Sequence, residues 1–252
     1  MDRRIFLAML AQLTCAAGAR AEQPWSSRFL DGGFADGFYW SGLAITMSQG
    51  WKTYWRMPGS GGIPPQLEGR GANLRAAELL FPVPLRFRDD GGESIGYKDE
   101  VVFPIRLEPK DLGSPMEVSF AAFFGICEVV CIPARSEASL RFAMGSNASA
   151  DARLLQQWLG RVPVFSENGP VSSVTATMTA EKPTLAVELD SPVDEVFVSG
   201  AEKYYFHAPR VEGQRATVLV SGANTADELK RQSLRFVTIA AGKALEQAIT
   251  VG

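Results

Sequence analysis

Histidine occurs once in the 252 residues, at position 207, and that scarcity removes whole classes of chemistry. A zinc site built from several imidazoles is impossible. A Ser-His-acid triad would have to use His207, which lies inside the strand-like run Tyr204-Tyr205-Phe206-His207, and the chain has no nucleophile elbow. Long apolar runs are missing as well: beyond Ala21 no segment approaches the roughly 20 residues that a membrane-spanning helix needs. There is no basic run, and the formal charge is −3. This argues against nucleic acid and anionic membrane surfaces as partners. The glycine-rich stretch 58–65, PGSGGIPP, lacks the Gly-Lys-Ser/Thr ending of a phosphate loop and reads as a connection between strands. Acidic neighbours such as Asp89-Asp90 and Asp99-Glu100 sit in turn-like contexts and read as solvated pairs, not as the opposed acids of a glycosidase.

Cysteine is also scarce, with three in the chain. Cys15 falls inside a segment with the marks of a cleaved export signal: Arg3 and Arg4, an apolar stretch over 5–17, and a small-x-small end at Ala19-Arg20-Ala21. Arg3-Arg4-Ile5-Phe6-Leu7 fits the core of a twin-arginine signal, and the general export route fits too. The expected division is a signal over 1–21, a first domain over 22–147, a helical linker over 148–164 and a second domain over 165–252. Loss of the signal would take the formal charge from −3 to −5 and leave an exported, soluble chain in the periplasm, where disulfides are permitted.

From Trp25 to Phe142 short apolar runs alternate with turn-rich segments, as in FYWSGLAITM, EVVFPIRLEP and MEVSFAAFF. The pattern predicts antiparallel strands. Over 148–164 the periodicity changes: Leu154, Leu155, Trp158 and Leu159 share one helical face, and Gly160 and Pro163 end the segment. A second strand-rich region follows, from SVTATMTA to EQAITVG, with one short helix expected within 225–232. The fold class is therefore all-β, two immunoglobulin-like β-sandwich domains joined by a short helical linker.

The remaining cysteines stand in FFGICEVVCIP, residues 123–133. Glu128, Val129 and Val130 separate Cys127 from Cys131, a spacing that allows either a tight hairpin or one helical turn; the β-branched pair favours strand-turn-strand, whose tip can bring the two sulfurs within bonding reach. Closing so short a loop restricts the unfolded chain little, about 2 kcal/mol by loop entropy, so as a staple it is poorly placed. Redox exchange, a structural bond and a copper(I) thiolate site all remain open on spacing alone. Met47, Met57, Met116, Met144 and Met178 are scattered singly, as core-filling methionines are. No cationic neighbour of the pair is evident along the chain.

The stretch from about Phe34 to Phe142 resembles the N-terminal, immunoglobulin-like periplasmic domain of the DsbD and ScsB thiol:disulfide interchange proteins. The matching residues are Gly50-Trp51-Lys52-Thr53-Tyr54-Trp55-Arg56, Gly96-Tyr97-Lys98-Asp99-Glu100-Val101-Val102-Phe103-Pro104 and Cys127 to Pro133. The resemblance implies a carrier without cofactor or metal. It would accept reducing equivalents at Cys127 and Cys131 and pass them to oxidised periplasmic thioredoxin-like proteins. Cys131 would meet the partner and Cys127 would resolve. It also implies a cap over the pair, at the positions matching Asp89 and Asp90, with Trp51, Tyr54 and either Tyr97 or Phe87 as aromatic shielding. The membrane and thioredoxin-like domains of full-length members have no counterpart here, so a separate membrane protein of the DsbD, ScsB or CcdA type is the expected electron donor. Copper tolerance and cytochrome maturation are the duties such a relay would serve.

Overall fold

The computed structural model describes residues 23–89, 92–142 and 150–252. The expected signal, Cys15, Asp90, Met144 and the expected junction at 147–148 lie outside the described residues.

Ten strands build the first sandwich: β1 (Trp25–Ala35), β2 (Phe38–Met47), β3 (Lys52–Gly59), β4 (Gln66–Arg70), β5 (Leu74–Leu79), β6 (Leu85–Asp89), β7 (Gly92–Lys98), β8 (Glu100–Pro109), β9 (Met116–Cys127) and β10 (Cys131–Phe142). One sheet runs β1-β2-β8-β5; the other runs β10-β9-β3-β7-β6, with β4 also paired to β9. Alternation along β9 shows how the sequence chooses its faces. Met116, Val118, Phe120, Ala122 and Phe124 are buried in the core, while Glu117 and Ser119 face out. Phe29 stacks on Phe120 at 4.9 Å, and Phe120 meets Phe142 edge-on across the same core.

Helix α1 (Ala150–Leu159) follows. Its buried face is Ala152, Leu155 and Trp158, close to the face expected from periodicity. It lies on the outer surface of the β1-β2-β8 sheet, and Leu155 fills the hollow left by Gly32 and Gly42, where any side chain would collide with it. Asp151 in the first turn accepts from Arg28 at 2.8 Å. So the linker helix is packed onto the first sandwich. Beyond it, the carbonyl of Arg161 accepts from the Val83 amide at 2.9 Å.

The second sandwich has β11 (Val164–Phe165), β12 (Val171–Thr179), β13 (Lys182–Leu189), β14 (Glu195–Ser199), β15 (Tyr205–Phe206), β16 (Arg210–Glu212), β17 (Arg215–Ser221), β18 (Ser233–Ala240) and β19 (Lys243–Thr250). The sheets are β11-β19-β18-β14 and β12-β13-β17-β15, with β16 on β17. The helix expected over 225–232 is a single 3-10 turn, Ala226–Glu228.

The two sandwiches meet along β3 and the β6–β7 hairpin. Trp55, fully buried, lies 5.8 Å from Phe197. Arg56 donates from Nε to Ser199 Oγ at 2.9 Å and from Nη2 to Glu246 Oε2 at 2.7 Å, and Arg235 closes on the same carboxylate at 2.6 Å. Arg86 donates to Glu93 at 2.7 Å and to the Val196 carbonyl at 3.2 Å, with its guanidinium over the Phe197 ring. These charges are partly desolvated but multiply hydrogen-bonded, which offsets the cost of their burial.

A candidate redox site at the tip of a hairpin

Strands β9 and β10 pair in unbroken register from Met116↔Phe142 to Cys127↔Cys131. The two cysteines are the last facing pair before the turn. They are joined as a disulfide, with Cα atoms 4.1 Å apart. Sequence parity puts them on the outer face: Phe124 and Ile126 point into the core, so Gly125 and Cys127 point away from it. An outward cysteine at a strand end should be exposed, yet Cys127 is only 2% accessible. Cys131 is exposed, and so are its neighbours: Val129 at 95%, Val130 at 71%, and Ile132.

The register of β3 explains what lies over Cys127. Lys52 pairs with Cys127, so Lys52 and Tyr54 share the cystine's face. Tyr54, 3% exposed, has its hydroxyl 3.4 Å from Cys131 Sγ, and since a disulfide sulfur carries no hydrogen, the phenol donates. Over the Tyr54 ring runs the loop between β3 and β4. Gly62, at φ +133°, lies so close that a Cβ there would enter the ring. Ile63 accepts the Gly125 amide at 3.0 Å, and Ser60 donates from its amide and its hydroxyl to the Glu93 carbonyl at 2.9 and 3.0 Å. The stretch that reads as a plain connection is thus laid over the tyrosine that touches the cystine.

The other expected shielding residues are distributed differently. Trp51 is partly buried and packs on the core cluster. Tyr97 pairs with Thr53, one residue out of phase with Tyr54, so it faces the core, donates to the Pro82 carbonyl at 2.7 Å and meets Phe103 edge-on. Burial pushes its phenol pKa well above the usual tyrosine range. Phe87 lies under the Lys98 ammonium. Asp89 ends β6, and the hairpin it belongs to approaches the covering loop where Gly92 meets Ser60.

Two residues near the site escape a reading of the linear sequence. Lys52 is buried opposite Cys127 and donates to Ser94 Oγ at 3.2 Å, placing a cation on the cystine's face. The signal was present in Lys52-Thr53-Tyr54, whose alternation puts the lysine and the tyrosine on one side. Glu93 is the second. Its carboxylate accepts from Arg86 and, at 2.9 Å, from Tyr205 of the second sandwich. Burial, then the bond to Glu93, raises the Tyr205 pKa.

Among the described residues no group of three or more histidine, cysteine, aspartate or glutamate side chains is placed to hold a metal ion. Met47, Met57 and Met116 are buried in the core, and Met178 is in β12. His207 hydrogen-bonds Ser221 Oγ at 2.7 Å on the surface of the second sandwich, and its own burial lowers its pKa. No helix among the described residues is long and apolar enough to cross a membrane.

The site is thus a disulfide at the hairpin tip of a β-sandwich, with Cys127 covered and Cys131 exposed beside the Tyr54 hydroxyl. Residues 33–143 match the family described as thiol:disulfide interchange protein DsbD, N-terminal. Across both sandwiches the chain is similar to the crystal structure of the N-terminal periplasmic domain of ScsB from Proteus mirabilis. The TM-score is 0.70 with 24% sequence identity over 91% of this chain and 94% of that one, a likeness of fold. No curated protein matches the sequence.

Proposed function

We propose that this protein is a periplasmic carrier of reducing equivalents that works through the Cys127–Cys131 pair on oxidised, thioredoxin-like partners. The observation that carries the reading is the asymmetry of the pair: Cys131 is exposed amid apolar side chains with a phenol at its sulfur, whereas Cys127 is buried beside it. In the reduced protein the Cys131 thiolate attacks one sulfur of the partner disulfide, forming the intermolecular S–S bond and expelling the partner's other sulfur as a thiolate. Cys127, having given up its proton, then attacks Cys131 Sγ. The intramolecular bond closes, and the second partner thiolate leaves. Two electrons and two protons have passed to the partner. A membrane-embedded dithiol donor of the DsbD, ScsB or CcdA type would restore the pair by the reverse sequence. Copper tolerance or cytochrome maturation would follow from the partners served.

The test is the equilibrium potential of the pair in a glutathione or dithiothreitol series, read by mass-tagged thiols with circular dichroism in parallel. A value above the roughly −300 mV that bounds structural disulfides, with the fold unchanged, is expected. A lower value, or unfolding on reduction, would overturn the relay. A Cys127→Ser variant should then trap partners as mixed disulfides on Cys131.

A further inference from the structure

We propose that the second sandwich holds down the loop covering the cystine, with Glu93 as the joint, so that Tyr205 and Glu93 are positioning residues for exchange at Cys131. The inference rests on the thiol:disulfide reading of the pair. Glu93 faces both ways. Its carboxylate, nearly buried, accepts the Tyr205 hydroxyl of β15 at 2.9 Å and Arg86 at 2.7 Å. Its main-chain carbonyl accepts the amide and hydroxyl of Ser60 at 2.9 and 3.0 Å. Ser60 begins the covering loop, which is fixed at its far side by the Gly125 amide on Ile63. Between these two anchors Gly62 presses on the Tyr54 ring, and Tyr54 touches Cys131 Sγ. Every link from the second sandwich to the reacting sulfur is therefore a direct contact.

The chemistry gives the loop something to control. A thiolate must reach Cys131 Sγ, the sulfur that the Tyr54 hydroxyl touches at 3.4 Å, so release of Tyr54 uncovers the atom under attack. While Ser60 is anchored, Tyr54 has no room to swing toward Gly62. A Tyr205 hydroxyl bonded to a carboxylate is a charge-assisted contact whose loss shifts an opening equilibrium by about tenfold.

The experiment is the pseudo-first-order rate at which dithiothreitol reduces the Cys127–Cys131 bond in the full chain, quenched with a mass tag, for the parent, Tyr205→Phe and Glu93→Gln. Both variants should react about tenfold faster than the parent, with increased hydrogen exchange at the Ser60 and Gly125 amides. Adding Ser60→Ala to Tyr205→Phe should then give little further gain, because both changes release the same anchor. Glu246→Gln is the comparison, since that carboxylate holds Arg56 and Arg235 and touches neither Glu93 nor the loop. Its rate should stay within twofold of the parent. The proposal is overturned if Tyr205→Phe and Glu93→Gln remain within twofold of the parent while folded, or if Glu246→Gln accelerates reduction as much as they do. Either result leaves the exchange function standing. A parent bond that dithiothreitol cannot reduce without unfolding overturns both.

Discussion

Tyr54→Phe removes one hydroxyl and keeps the ring under Gly62, so it tests the contact with Cys131. In the disulfide this contact is a weak bond to a neutral sulfur at 3.4 Å. After reduction the same hydroxyl can donate to the Cys131 thiolate, and hydrogen bonds to charged groups contribute about 1.5–3 kcal/mol net. Cys131 is exposed, so water replaces part of the bond and the lower end applies. At 1.36 kcal/mol per unit, the variant's thiol pKa should rise by about one unit. Below that pKa the thiolate fraction falls about tenfold, but the more basic thiolate is the better nucleophile, with a Brønsted slope near 0.4–0.5. The net loss of rate near neutral pH is about threefold, and at pH well above both thiol pKa values it turns into a gain of about threefold. The assay is the pH profile of iodoacetamide alkylation in a Cys127→Ser background, where Cys131 is the thiol that reacts. A pKa that stays within about 0.3 unit, or falls, would refute the assignment of the phenol as thiolate donor.

Charge placed on the apolar tip should separate docking from chemistry. Val129→Asp combined with Val130→Asp should slow reduction of a thioredoxin-like protein disulfide by tenfold or more while leaving reduction of the pair by dithiothreitol within twofold, measured side by side by mass tagging. Leu155→Ala should cost about 3 kcal/mol in urea unfolding with little change in slope, because the glycines at 32 and 42 cannot fill the space the leucine leaves.

The sandwich pattern and the hairpin were legible because both depend on residues close in sequence. Alternation fixes the faces of β9, and three residues between Cys127 and Cys131 fix the turn. The helix face was legible for the same reason. Its docking was not, since Gly32 and Gly42 gain meaning only when a leucine 113 or more residues later is laid on them. The covering loop shows the limit most clearly. PGSGGIPP carries the composition of a connection, and nothing local says that Gly62 lies on Tyr54; the pairing of Lys52 with Cys127 puts Tyr54 on the cystine's face, and the bonds of Ser60 to Glu93 and of Gly125 to Ile63 lay the loop over it. Cover was expected by position from Asp89, Asp90, Trp51, Tyr54 and either Tyr97 or Phe87; strand parity puts Tyr54 on the cystine's face and turns Tyr97 into the core. The clamp between the sandwiches was invisible for a related reason. Arg56 and Glu246 are 190 positions apart, and each reads alone as a solvated charge.

The placement of the disulfide also bears on whether it is a staple or a working bond. It joins two strands that are already joined by their own turn and held by a ladder of facing pairs from Met116↔Phe142 upward. Cutting it frees no new segment of chain. The closed loop is so short that its entropic contribution is about 2 kcal/mol at most. For a chain of this size, 1 kcal/mol moves the melting temperature by about 2–4 °C, so reduction should lower it by no more than about 8 °C. The loop over Tyr54 is anchored at Ser60 and Ile63 and not at the sulfurs, so the cover of Cys127 is expected to persist on reduction. A bond that can be opened and closed without moving the fold meets the structural requirement of a relay. Thermal denaturation of the oxidised and reduced protein, followed by circular dichroism, tests this directly. A fall of 20 °C or more on reduction would mean that the bond supports the sandwich, and that its exposure at the hairpin tip is incidental.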